Sequence, residues 1–120
     1  MGLPTDQEKA FNLYFSAAKA GHTASCYRTA MSCEVGIGTK RDPQKAIQFY
    51  RKAASLGDVA AMYKLGIIML RGLLGLPMNV REGVTWLKRA AENADEDNPQ
   101  ALHILVSIPA VGKANAGSII

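Results

Sequence analysis

Between Lys45 and Lys64 the apolar positions follow a helical period rather than the two-residue alternation of a strand. Ala46, Phe49, Tyr50, Ala53 and Ala54 fall at i, i+3, i+4, i+7 and i+8, while Lys45, Gln48, Lys52 and Ser55 take the opposite side. Gly57 stands where a helix closes on a left-handed residue, and Asp58 where the next helix needs a side-chain acceptor for its first free N–H groups. Ala53-Ala54, Ala60-Ala61 and Gly66 keep the facing surfaces thin. The pattern predicts two helices joined by a tight turn, with backbones in close approach.

The same signals recur in one register. Ala17-Ala18, Ala53-Ala54 and Ala90-Ala91 repeat at spacings of 36 and 37 residues, as do Asp6, Asp42 and Asn79. Leu13-Tyr14, Phe49-Tyr50 and Trp86-Leu87 keep that interval, and so do Gly21, Gly57 and Ala94. Cap, aromatic pair and small pair are independent markers, so their agreement identifies an internal repeat. Thr5-x-x-Glu8 and Asn79-x-x-Glu82 have the form of capping boxes, and Pro43 occupies the favoured first helical position after Asp42. The second helix of each unit, helix B, is therefore expected over 6–20, 43–56 and 80–94. The first, helix A, is expected over 24–35, 59–71 and 99–108. A helix B, repeats at 24–57 and 59–94 and a final helix A form an all-α solenoid over 1–108, with an irregular tail at 109–120.

Composition changes this picture little, but charge distribution adds to it. The 120 residues carry a formal charge of +4, yet 12 Lys/Arg face four acids between Lys19 and Arg89. Acids gather instead at Glu92, Asp95, Glu96 and Asp97. Such asymmetry suits an acidic partner or anionic lipid, or simply the solvated faces of amphipathic helices. Cys26 and Cys33 lie seven apart on one predicted helix, about 10 Å along its axis. That exceeds the reach of a disulfide, so both read as core thiols. Met1 to Ala10 contains no apolar run, and Asp6 stands where a myristoylation signal has Ser or Thr. Leu65 to Leu76 is too short to span a bilayer. No direct membrane insertion is expected.

The search for chemistry is sparse. His22 follows Gly21 in a turn, and His103 has no neighbouring ligand to build a metal site. Cys26 with His22 is the one nucleophile–base pairing close in sequence, and it straddles a predicted helix start. The acidic run lacks the alternating order and central Gly of a Ca²⁺ loop. Neither catalytic, cofactor nor metal residues are assigned. Nucleic acid is set aside because Phe49, Tyr50 and Trp86 are needed for the core and cannot also stack on bases. As a core residue, Trp86 would cost about 3–5 kcal/mol on truncation to Ala.

Two runs carry a family resemblance. Ala61…Leu65-Gly66…Gly72…Glu82-Gly83…Trp86-Leu87-x-x-Ala90-Ala91 resembles a Sel-like repeat, a relative of the tetratricopeptide repeat. Gly36-x-Gly38…Asp42-x-x-Lys45-Ala46-x-x-Phe49-Tyr50-x-Lys52-Ala53-Ala54-x-x-Gly57 resembles it more fully. Ala53 to Gly66, Arg71 to Gly75, and Trp86 to Glu92 leading into Asp95 to His103 are most similar to fungal chitin synthase regulators. The resemblance covers residues 6–105 and implies a right-handed α-α superhelix. It further implies a non-enzymatic activator of chitin synthase in septum and cell-wall chitin deposition, bound to the synthase or its localisation complex. Such a chain would be cytoplasmic and peripheral at the plasma membrane through that partner. An SLR hydrolase, a β-lactam-binding protein or an adaptor for another membrane complex is the alternative.

Thr29-Ala30 replaces the usual Leu-Gly, and Cys33 and Met69 replace a usual Tyr. The pattern fails after His103, where Ile108-Pro109 cuts helix A short, as in a fragment of a longer chain. In tetratricopeptide-like stacks helix A lines the concave groove, which makes Tyr27, Arg28, Tyr63, Lys64 and Arg71 the expected partner-binding residues. Leu73 and Leu74, in the loop from Gly72 to Met78, either tuck under the next repeat or meet a partner. Phe11, Phe15, Leu102 and Leu105 are expected as uncapped end faces, with marginal stability or self-association as the result.

Overall fold

The computed structural model describes residues 4–94, and five helices run through them: α1 (Asp6–Lys19), α2 (Thr23–Val35), α3 (Pro43–Ser55), α4 (Val59–Arg71) and α5 (Val80–Glu92). The helix at 99–108, the tail at 109–120, the acidic run from Asp95 and the end residues Leu102 and Leu105 lie outside the described residues.

Each start is set by a side-chain acceptor. Thr5 accepts from the Glu8 N–H at 3.1 Å while Glu8 takes the Thr5 N–H at 2.8 Å, a complete capping box. Asp42, Asp58 and Asn79 accept from the N–H three residues on at 3.0, 3.0 and 3.1 Å. The expected second capping box is only half made. The Asn79 N–H donates to the Met69 carbonyl at 2.7 Å, so Glu82 meets the Asn79 side-chain amide instead. That backbone bond has a counterpart, Asp42 N–H to Cys33 carbonyl at 2.8 Å, and the two close the A–B hairpins. At the ends of α2 and α4, Gly36 and Gly72 take left-handed conformations that a side chain would strain.

Chain neighbours pack in series, α1 on α2, α2 on α3, α3 on α4 and α4 on α5. Ala18, Ala30, Ala46, Ala53, Ala54, Ala61 and Ala90 are buried in the seams, with Phe49, Tyr50, Leu65, Ile68 and Leu87 as the larger filling. In the α4–α5 seam the facing small residues are glycines, Gly66 and Gly83. A Cβ on Gly83 would stand 2.8 Å from the Leu70 nitrogen and 2.9 Å from the Gly66 carbonyl oxygen. The positions in register between α2 and α3 are Ala30 and Ala46, so there the small residues are alanines.

Two expectations are corrected. Trp86 is only half-buried: it packs on the core from one side and lies under the Arg89 guanidinium, 4.6 Å from the ring centroid. The residue sealed in that seam is Leu87. Loss of Trp86 therefore costs less than removal of a fully enclosed ring. Phe11 and Phe15 are not bare either. Phe11 is buried, Phe15 stacks on it at 5.6 Å and meets Phe49 edge-on at 5.8 Å, and Lys19 and Lys45 cover the Phe15 ring. Leu13, 73% exposed, is the large apolar side chain that α1 leaves most open to water.

Thr29, in the place of the usual Leu, is fully buried and its hydroxyl has no hydrogen-bond partner. Thr29→Val keeps the shape and removes an unmet polar atom, so it is expected to raise stability by about 1 kcal/mol. A urea midpoint that does not increase would refute this.

Candidate functional site

A cleft of about 320 Å³ opens between α1 and α2 and reaches the side of α4. Its walls are helix faces set by the repeat: Tyr14 comes from α1, Tyr27, Arg28, Met31 and Val35 from α2, and Lys64 from α4. Met31 and Val35 are 41% and 60% exposed, an apolar surface that nothing among the described residues covers.

Glu34 organises the floor. Its carboxylate accepts the Tyr50 hydroxyl at 2.6 Å and pairs with the Lys64 ammonium at 3.1 Å, linking α2, α3 and α4 at one point. Tyr27 meets the Tyr50 ring edge-on at 5.8 Å. Burial, with the Glu34 carboxylate beside it, pushes the Tyr50 phenol far above the ordinary tyrosine range, and burial raises Tyr27 as well. The stability that Tyr50 confers is thus whole below about pH 10 and is lost as pH rises past it. Alkaline unfolding followed by circular dichroism should accordingly begin at lower pH in the native chain than in Tyr50→Phe. Coincident transitions would exclude the Tyr50 phenol as the group that drives it.

Of the residues expected from the sequence, Tyr27, Arg28 and Lys64 come together in this cleft. Tyr63 does not line it, being half-buried against the core, and Arg71 is exposed at the end of α4. Leu73 is exposed, whereas Leu74 packs on the core with a φ of 55°. Leu74 also borders a shallow hollow with Arg41 and Pro43 at the start of α3. Glu34, Tyr14 and Tyr50 were not expected as site residues. A signal for Glu34 was present, since it lies seven positions after Tyr27 and shares its helix face.

The pairing of His22 with Cys26 is not formed. The His22 Nδ1 accepts the Ser25 N–H at 3.2 Å and lies 2.7 Å from the Ser25 hydroxyl, so the ring caps α2. Cys26 is fully buried, its thiol directed at the Ala18 carbonyl and raised by burial, which opposes thiolate formation. Cys33 is likewise buried and free. Among the described residues no three His, Cys, Asp or Glu side chains are grouped to hold a metal ion, and no helix is long and apolar enough to cross a membrane.

The Sel1 repeat model matches residues 1–22, 23–58 and 59–95, dividing the chain where the helix pairs divide it. The chain belongs to the Sel1 repeat family. Over 108 residues it is 41% identical to chitin synthase regulatory factor 3 of Schizosaccharomyces pombe, spanning 90% of this chain and 12% of that protein. It is 42% identical over 106 residues to the chitin synthase regulator SKT5 of Saccharomyces cerevisiae, spanning 86% of this chain and 15% of that protein. The chain thus spans only a small part of the length of these two relatives. Among solved structures, the Sel1 repeat protein from Oxalobacter formigenes superposes with a TM-score of 0.80 at 28% identity, over 89% of this chain and 42% of that one. The fold is the all-α repeat stack that the 36-residue register implied.

Proposed function

We propose that this Sel1 repeat chain is a non-catalytic protein-binding scaffold that takes part in regulating chitin synthase, the synthase or its localisation complex being the partner. The role belongs to chitin deposition in the septum and cell wall, on the cytoplasmic side of the plasma membrane and through that partner. One observation carries the reading: identity above 40% to two chitin synthase regulators runs through nearly the whole stack. The chemistry supports it. The distinctive residues serve caps, seams and the Glu34 network, and the buried Cys26 thiol is no nucleophile. Tyr27, Arg28, Tyr63, Lys64, Arg71, Leu73 and Leu74 remain the proposed contact residues, with the cleft group of Tyr27, Arg28 and Lys64 foremost.

Capture of chitin synthase from detergent-solubilised fungal membranes tests this directly. The native chain should retain the synthase, and Arg28→Glu or Met31→Glu, both exposed on the cleft wall, should reduce capture at least fivefold. Arg71→Glu, away from the cleft, should have a smaller effect. Lys64→Glu is a poorer probe because it also breaks the Glu34 pair. Equal capture by all variants would dismiss the cleft, and no capture by the native chain would dismiss the synthase.

A further inference from the structure

The B-type helices α1, α3 and α5 touch through their side chains at two junctions, and the two are built differently. Between α3 and α5, Arg51 pairs with Glu82 at 3.5 Å, a cation against a carboxylate. The same two positions one repeat earlier, by the spacings of 36 and 37 residues, are Phe15 of α1 and Lys45 of α3. A lysine thus replaces the acid at a junction that already holds two more. Lys19 and Lys45 stand 4.6 and 5.1 Å from the Phe15 ring centroid. Lys52 stands 5.9 Å from the Phe49 centroid and 2.9 Å from the Ala18 carbonyl oxygen. The two rings meet edge-on at 5.8 Å, so three ammoniums gather on one aromatic pair. The ion pairs among the described residues, Arg51–Glu82 and Lys64–Glu34, include none of them. Asp42, three residues before Lys45, accepts the N–H that starts α3. Like charges so grouped repel one another, and a bound anion relieves that repulsion. The junction lies where α1 and α3 turn toward each other, inside the described stack.

We propose that Lys19, Lys45 and Lys52 hold the phosphate groups of an anionic membrane leaflet, laying this face of the stack on the lipid surface. Charge complementarity selects the occupant, since grouped lysines on an amphipathic helix surface favour anionic headgroups. Lys45 lies in the first turn of α3 and Lys52 in the last, about 10 Å apart along the axis. One phosphate group does not span that distance, whereas the spaced headgroups of a leaflet do. Leu56, one turn beyond Lys52 and 47% exposed, offers an apolar side chain to the headgroup layer. A peptide would need a groove beside the charges, and the apolar cleft includes none of the three lysines. The inference uses no cleft residue, so it stands apart from the scaffold reading and leaves the cleft open to a protein.

Co-sedimentation of the full chain with lipid vesicles tests this. Phosphatidylcholine vesicles with about 20% phosphatidylserine should bind the chain, phosphatidylcholine alone about tenfold more weakly, and added salt should release it. Lys19→Gln and Lys45→Gln should each weaken the anionic binding about fivefold. Lys40→Gln removes the same charge from the exposed loop before α3 and should change binding less than about twofold. Lys52→Gln is a poorer probe because it also releases the Ala18 carbonyl. Circular dichroism should show native helix in the variants tested. No binding by the native chain, or equal binding to both vesicles, would overturn the proposal whatever the variants do. A loss in Lys40→Gln as large as in Lys19→Gln and Lys45→Gln would also overturn it, assigning the attraction to net charge alone. Binding of a doubly phosphorylated peptide without vesicle binding would overturn it in favour of a protein partner. Synthase capture reads the cleft and vesicle binding reads the lysines, so each can fail while the other holds.

Discussion

Tyr50→Ala is expected to unfold the stack. The side chain is fully buried between α2 and α3, supports the edge of Tyr27 and donates to Glu34. Removing a large aromatic from such a site costs about 3–5 kcal/mol, comparable to the whole stability expected of so short a stack. Tyr50→Phe separates the terms. It keeps the ring and deletes one hydrogen bond to a charged acceptor, worth about 1.5 kcal/mol, and Glu34 retains Lys64. Far-UV circular dichroism should show helix largely lost in the alanine variant and kept in the phenylalanine variant. Native-like helix in Tyr50→Ala would mean that this ring is not what closes the first hairpin.

The second large effect has a diagnostic sign. Inside a helix Gly→Ala ordinarily stabilises by about 0.5–1 kcal/mol, because alanine loses less backbone freedom on folding. Gly83→Ala should do the opposite and cost about 2–3 kcal/mol, an overpacking penalty. The added methyl would press on the Leu70 nitrogen and the Gly66 carbonyl, which are backbone atoms held in the helix and unable to turn aside. Gly66→Ala meets the Leu87 side chain first and should be the milder of the two. Melting measured by calorimetry distinguishes the outcomes: a rise in midpoint for Gly83→Ala would show that α4 and α5 do not approach this closely in solution.

The helices were legible because their boundaries are written locally. Asp42, Asp58 and Asn79 mark starts, Gly36 and Gly72 mark ends, and each signal acts within four residues. The thin seams were legible as paired small residues at a fixed interval. What escaped was set by geometry between repeats. Trp86 and Leu87 occupy adjacent helix positions about 100° apart, and only packing decides that Leu87 is enclosed while Trp86 lies under Arg89. Glu34 counted as one acid in a basic region until the fold brought Tyr50 and Lys64, 16 and 30 residues onward, to the same carboxylate. The cleft joins α1 to α2 and α4, so no single segment could announce it.

The serial packing of the helices has a mechanical corollary. With the main contacts made between chain neighbours, a lesion at one end has few routes by which to spread, and the stack should come apart by peeling rather than by shattering. Damage in α5 would leave the α1–α2 cleft standing. The Lys52 ammonium, which reaches back to the Ala18 carbonyl at 2.9 Å, rivets the first helix to the third and protects the end that holds it.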